Sequence, residues 1–295
     1  MISAEIIEDT VSADSVRLTT FKLVYPSIVH PELLTHKALS RSVSSNRDIP
    51  VWEMIDSVEA DMAEPVEWGK NMPGMQSREL LDDTDRKAAQ AIWRSAGRQA
   101  VRHSRDLAAI GVNKQIANRV TMPWQHVSVV LTATDYDNFF SLRCHEDADQ
   151  TMSDVAWAMA HAYYNACPTA ARDLTWCHLP FVTSGERATL SEDVLLQASV
   201  ARCARVSYKN HDGGFPILDK DVQLAGDLQA SGHWSPFEHQ GKPAAAGTRS
   251  GNFRGWTQFR QTFDKQCVKI FDYDAAMSKL AESGKRIPGL KGASK

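Results

Sequence analysis

Between Glu32 and Asp48 the chain reads ELLTHKALSRSVSSNRD, and no acidic residue interrupts the cations and hydroxyls between those two ends. Lys37, Arg41 and Arg47 supply positive charge, while Ser40, Ser42, Ser44, Ser45 and Asn46 supply short hydrogen-bond donors. A phosphate needs both kinds close together. After Pro31 the spacing predicts a short helix with His36 and Ser40 on one face, running into a serine-rich loop. Such an element delivers an imidazole and an ammonium to a Ser/Arg loop, as in a site for a small phosphorylated molecule or a dinucleotide. Composition alone reads the same run as a solvated loop open to phosphorylation.

The elements that must hold this run follow from periodicity. Residues 16–25, rich in β-branched and aromatic side chains, predict a strand that feeds it through Pro26 and Pro31. Pro50 opens a helix to about Met62, with Val51, Ile55 and Val58 on one side, and a Pro/Gly loop over 63–75 ends it. A long amphipathic helix is expected from Ser77 to about Ile110; its tract of Arg86, Lys87, Arg94, Arg98, Arg102 and Arg105 is flanked by acids and reads as a solvated face. A helix from Lys114 to Met122 carries Arg119, and 126–134 reads as a strand. Asp135 or Asp137 then caps a segment in which Asn138 and Arg143 lie five apart. His145, Glu146, Asp147 and Asp149 read as the acidic start of a helix over 150–166, not as a metal site. Residues 168–190 look like an irregular crossing between subregions, followed by helices over 191–205 and 218–230. Arg254, Trp256, Phe259 and Arg260 suggest a packed edge with snorkelled arginines, and the chain past Lys279 reads as a tail.

Composition bounds the function. At 295 residues and 43% hydrophobic content the chain can bury a full core, as one large domain or two small ones. A net charge of −3 gives no global field for nucleic acid. The five cysteines, Cys144, Cys167, Cys177, Cys203 and Cys267, show neither a CxxC pair nor zinc spacing, so reduced thiols in a cytoplasmic protein are expected. The N-terminal MISAEIIEDT lacks the apolar segment of a secretory signal, and no run reaches membrane-spanning length.

The order His, Lys, two residues, Ser, four residues, Ser, one residue, Arg resembles the RHRxxSxNxxSxR motif of the flavin-dependent thymidylate synthases, the ThyX family. His36, Ser40, Ser45 and Arg47 match, whereas Thr35, Lys37 and Ser42 stand where the family has Arg, Arg and Asn. Arg119, Asn138 and Arg143 resemble its second fingerprint, with Thr132 and Thr134 where Asn and Arg are often found. ARVS, from Ala204 to Ser207, and HWSPFEH, from His233 to His239, are similar to two further family strings. In the commonest family order those strings precede the Ser/Arg motif, so the chain resembles a circularly permuted, phage-type member. The likeness covers most of 16–150 and 195–262.

That resemblance implies an α+β fold with a central mixed sheet flanked by long helices. It implies one catalytic domain over 1–280 with a flexible tail over 281–295, and a homotetramer with active sites at subunit interfaces. The implied reaction converts dUMP to dTMP with FAD, taking carbon from 5,10-methylenetetrahydrofolate and reducing power from NADPH. It assigns Arg143, Arg47 and Ser45 to catalysis on the pyrimidine, with Arg119 and Ser44 helping to hold the nucleotide. His36, Lys37, Ser40, Asn138, Ser207, Ser235 and Glu238 fall to the flavin, and His233 to the folate and flavin edge. No cysteine nucleophile is required, so Cys144 is a bystander; no metal and no membrane is expected, and the compartment is the cytoplasm, the host's if the chain is viral. The alternatives are a dUMP hydroxymethylase, a dCMP methylase or hydroxymethylase, and a non-catalytic nucleotide-binding relative. A nucleic-acid binder using the Ser/Arg loop with Trp256 and Phe259 is opposed by the net charge and the lack of any RNP-like motif.

Overall fold

The computed structural model describes residues 1–74, 77–171, 175–208, 213–263 and 272–283. Its centre is a mixed sheet of β1 (Ser3–Val11), β2 (Arg17–Pro26), β3 (Ser40–Val43), β4 (His126–Ala133) and β5 (Thr169–Ala170), in the order β3-β4-β2-β1-β5. Only β1 and β5 run parallel. Around it lie α1 (His30–Leu33), α2 (Val51–Ala60), α3 (Asp83–Ala109), α4 (Lys114–Ala117), α5 (Asp137–Arg143), α6 (Gln150–Asn165), α7 (Ser184–Thr189), α8 (Glu192–Arg205), α9 (Leu218–Ser231) and α10 (Tyr273–Glu282). Two small ribbons, β6 (Gly241–Pro243) with β9 (Trp256–Gln258) and β7 (Arg249–Ser250) with β8 (Phe253–Arg254), complete the C-terminal part. The architecture is the expected α+β one. No helix among the described residues is long and apolar enough to cross a membrane.

The period of two in the strands gives the sheet two unlike faces. Phe21, Leu23 and Tyr25 of β2 and Val129, Leu131 and Ala133 of β4 pack against Met152, Val155, Ala156 and Met159 of α6 and against Tyr136, Phe139 and Phe140. The intervening positions point the other way. Leu18 meets Trp256 and Phe253, and Val130 meets Phe181, Cys203 and Val206.

Between those contacts runs a buried polar chain. His178 bonds Thr10 Oγ1 through Nδ1 and Thr20 Oγ1 through Nε2 at 2.7 Å. Thr20 bonds Thr132 at 2.7 Å, Thr132 bonds His239 Nδ1 at 2.8 Å, and His239 Nε2 bonds Ser42 Oγ at 2.9 Å. All six side chains are buried. Burial holds the His239 imidazole down at about 3 and His178 well below its ordinary value, so both are neutral.

A second buried polar cluster joins α7, α8 and α9. Arg202 donates to Asp221 at 3.0 Å, to Glu186 at 2.6 Å and to Phe181 O at 2.8 Å. Arg205 reaches the other Asp221 oxygen at 2.5 Å. The Arg of the ARVS string is therefore spent inside the fold.

Several sequence expectations are corrected. The helix meant to carry His36 and Ser40 together stops at Leu33, and Ser40 begins β3, because pairing with β4 outweighs local helix spacing. The serine-rich continuation is thus half strand. Neither Asp135 nor Asp137 caps α5, whose N-cap position is Tyr136, whereas Asp149 does cap α6 through Met152 N–H. Asp82 caps the long helix, five residues after its expected start. The helix expected to Met122 is α4 followed by a 3-10 segment over Asn118–Trp124. Within the expected crossing, residues 178–182 are core, not a boundary: His178 and Leu179 are fully buried. Strand β1 was not anticipated at all. Helix α10 runs to Glu282, and the expected tail beyond residue 283 lies outside the described residues.

Two measurements probe this framework. Replacing Arg202 with Met takes from Glu186 its cation and from the fully buried Asp221 one of its two, Arg205 remaining, and should cost about 3 kcal/mol in chemical denaturation; a loss under about 1 kcal/mol would show that the cluster is not coupled to folding. For His239 the folded value lies below the ordinary 6.5. Its share of stability is complete above that value and falls as pH drops toward about 3. Its slope reaches about 1.4 kcal/mol per pH unit. His239→Gln should flatten the acid limb of the stability–pH curve across that window; a parallel curve would contradict a buried neutral imidazole.

Candidate functional site

Residues 34–39 turn between α1 and β3, and α5 lies opposite, its Phe139 edge-on to His36 with ring centroids 4.9 Å apart. Between them is a cavity of about 340 Å³ lined by Thr35, His36, Lys37, Asp135, Asn138, Phe139, Leu142 and Arg143, among others. Four of the sequence-assigned residues, His36, Lys37, Asn138 and Arg143, therefore share one cavity.

Arg143 is the organised member. Its Nε donates to His36 Nε2 at 3.0 Å, one Nη to Glu32 at 2.6 Å and the other faces Thr35 Oγ1 at 3.5 Å. Because Nε2 of His36 accepts, that imidazole is neutral and carries its proton on Nδ1. Burial, then Arg143 and Arg41, lower its proton affinity, in agreement with the geometry. The Glu32 carboxyl is raised by burial and by Asp149, against the pull of Arg143. Lys37 donates to Leu34 O at 3.0 Å and is exposed. Asn138 opens α5 and is exposed to the cavity.

The other end of β3 carries the rest of the Ser/Arg run. Ser44 Oγ accepts from Ser128 N–H at 3.2 Å, and Ser45 Oγ from Arg47 N–H at 3.2 Å. Asn118 donates to Asn46 O at 2.7 Å, which brings the Arg119 segment beside Arg47, and both arginines are exposed. Ser40 and Ser44 are separated by roughly 13 Å along a strand rising about 3.3 Å per residue. The Arg143 cavity and the Arg47–Arg119 surface thus lie at opposite ends of β3.

The C-terminal strings fall at a third place. HWSPFEH forms a 3-10 turn, Ser235–Glu238, seated by the His239–Ser42 bond. His233 and Ser235 are exposed, and Glu238 is half-buried. Ser40 is buried, its Oγ accepting from Gln258 at 3.1 Å and Asn252 at 3.2 Å, so it seats β3 in the fold. Ser207 lies just past the end of α8, its N–H donating to Arg202 O at 3.1 Å beside Val206 in the left-handed conformation. Neither Ser207 nor His233 lines the cavity.

Glu32 and Arg41 were overlooked as site members. The first closed the run in sequence as its acidic end, and the second counted only as charge. Burial raises the Cys144 thiol, which keeps it protonated and a poor nucleophile. No group of three metal-ligating side chains occurs among the described residues.

No family model matches this sequence, and neither does any curated protein. Among solved structures the chain is similar to a UMP/dUMP methylase, PolB, from Streptomyces cacaoi. With 5-Br dUMP bound that protein shows a TM-score of 0.45 at 17% identity, over 55% of this chain and 90% of that one. With 5-Br UMP bound the score is 0.46 at 17% identity, over 55% and 88%. What this chain does is therefore to be read from its own side chains.

Proposed function

We propose that the chain is a flavin-dependent pyrimidine nucleotide C5 methyltransferase, a permuted thymidylate synthase of ThyX type acting on dUMP, with residues 1–280 as its catalytic domain. The observation that carries this reading is the Ser42–His239 bond, 2.9 Å across 197 positions of sequence. It joins the Ser/Arg run to the HWSPFEH string, the two stretches whose order is inverted relative to the family.

Attaching carbon to C5 of a pyrimidine pushes negative charge onto the ring carbonyls. A guanidinium held in place at that edge stabilises it without reorganising. Arg143 suits the task because Glu32 and His36 fix two of its nitrogens, while the third has only the longer, 3.5 Å bond to Thr35 at the cavity wall. As a pure donor it favours the C4 carbonyl of uracil over the amine of cytosine. Ser44, Ser45, Arg47 and Arg119 offer hydroxyls and cations to a phosphate. Since they lie at the far end of β3, a site uniting them with Arg143 is met by a second copy of the chain, as the expected homotetramer provides.

The donor set around the cavity suits part of a flavin dinucleotide such as FAD: a neutral imidazole, an exposed ammonium and an exposed side-chain amide beside an aromatic wall. His36, Lys37 and Asn138 would hold it, with Ser235 and Glu238 near the open edge of β3. When bound and reduced by NADPH, it would supply the hydride that completes a methyl group from methylenetetrahydrofolate. The protonated Cys144 has no part in this scheme.

Incubating the protein with FAD, NADPH, methylenetetrahydrofolate and either dUMP or dCMP, then weighing the nucleotide by mass spectrometry, tests the proposal. A gain of one CH₂ on dUMP is expected. Arg143→Ala and Arg47→Ala should each lose about 2–4 kcal/mol of transition-state stabilisation, and Cys144→Ser should remain active. A hydroxymethyl product or turnover of dCMP alone would move the chain to a neighbouring reaction, and no retained flavin would end the reading.

A further inference from the structure

Just past β3 the chain makes one more exchange with β4: Ser44 N–H donates to Ser128 O at 2.9 Å, and Ser128 N–H to Ser44 Oγ at 3.2 Å. Residues 46–48 then turn, and three carbonyls of this loop are taken by the segment 114–118. Asn118 Nδ2 donates to Asn46 O at 2.7 Å and to Ile49 O at 3.0 Å, and Lys114 Nζ to Asp48 O at 2.9 Å. Inside the loop Ser45 Oγ accepts from Arg47 N–H at 3.2 Å, and Ser45 O from Asp48 N–H at 3.0 Å. The turn that carries Arg47 is therefore closed on itself. As an acceptor there, the Ser45 hydroxyl keeps its own hydrogen to donate.

Asn118 is fully buried. Both of its amide hydrogens are used by the loop, and its Oδ1 has no partner among the described residues. The reverse orientation of the amide would set that oxygen against two carbonyls, so the side chain is held by its donors alone. Gln125 closes the ring of contacts. Its Nε2 donates to Asn118 O at 2.6 Å and to Thr121 Oγ1 at 2.9 Å, while its Oε1 accepts from Asn46 Nδ2 at 3.3 Å. Asn46 is thus gripped at both its carbonyl and its side chain. Asn118, Thr121 and Gln125 are buried, whereas Arg47 and Arg119, each one position after a gripped asparagine, are exposed.

Buried amides here fix the backbone of two segments and leave their cations to solvent. We propose that Asn118 and Gln125 are positioning residues that hold the turn of Ser45 and Arg47 to the Arg119 segment, so that these three side chains together take the phosphate of a nucleotide. Donors on separate segments grip one phosphate well only if the segments are ordered beforehand, because ordering them at binding would cost affinity. The inference rests on the functional reading above, which brings a nucleotide to this chain. It adds two buried residues that act on the ligand through others.

The test uses the full chain with FAD, titrated with dUMP by calorimetry, while deoxyuridine is measured by its displacement of dUMP. Wild type should prefer dUMP by about tenfold or more, since only dUMP carries the phosphate. Asn118→Leu, close in volume but without either donor, should lose most of that preference and keep the wild-type affinity for deoxyuridine. Asn46→Ala, at a half-buried position, removes only the Gln125 contact; should the first variant fold poorly, the same preference is expected to fall in this one. An equal loss for both ligands marks a role in folding alone and overturns the inference, as does a preference that stays at the wild-type value. Wild type that binds dUMP and deoxyuridine equally also overturns it and leaves the functional reading standing. Wild type that binds neither overturns both.

Discussion

Four strands and two loop histidines depend on one another through a single line of hydrogen bonds beneath the C-terminal part. Thr10, Thr20, Thr132 and Ser42 each lie on a different strand, and His178 and His239 bridge the gaps that a hydroxyl cannot span. A neutral imidazole has one donor and one acceptor, so each histidine donates to the hydroxyl on one side and accepts from the hydroxyl on the other. Removing an inner member takes a partner from a buried polar atom on each side, and removing Thr10 or Ser42 from one. This dependence sets the seating of the C-terminal part on the sheet. His178 reinforces it by exchanging backbone bonds with Gly241 at 3.2 and 3.0 Å. Where Gly241 crosses Leu18 there is no room for a Cβ.

The two faces of the sheet are thus held by different forces. Packing against α6 is apolar and tolerant, because several large side chains share the burial. The other face is specified by polar geometry, and the Arg202–Asp221–Glu186 cluster extends that character into α7, α8 and α9. Such clusters add little to net stability over an apolar equivalent, but breaking one partner is expensive. Their effect here is placement. Once His239 bonds Ser42, the Ser235–Glu238 turn and the Gln258 link can take only one position along β3.

Legibility from sequence followed the same division. Strands β2 and β4 and helices α6, α8 and α9 were visible because their apolar residues repeat at the right period. Strand β1 was hidden by its acids Glu5, Glu8 and Asp9, two of which are ion-paired: Asp9 meets Arg17, and Glu8, pushed up to about 7 by burial, meets Arg187. The 175–190 segment looked irregular because backbone pairing and single contacts hold it, not a periodic face. Around the cavity, the residue types pointed to His36, Lys37, Asn138 and Arg143, but Glu32 is informative only once Arg143 is known to lie beside it. Ser40 shows the reverse. Its place in the motif suggested a ligand contact, and only the fold reveals that its hydroxyl is already used by Asn252 and Gln258.

The exchanges in the Ser/Arg run can be understood from charge placement. Lysine at position 37 gives a point charge where the resembling motif has a planar fork, and its ammonium turns back to the Leu34 carbonyl. A guanidinium is nonetheless present beside His36, because Arg41 reaches the His36 carbonyl from the following strand while Arg143 binds its ring. Two planar cations therefore bracket the residue, Arg143 at its ring and Arg41 at its carbonyl, and after burial both help keep the imidazole neutral. Serine at 42 has a comparable logic. Its single hydroxyl terminates the line through His239, and a longer side-chain amide there would have to add both a donor and an acceptor to a buried chain with room for one group. The departures from the motif are in this sense coupled to the seating of the C-terminal part on β3.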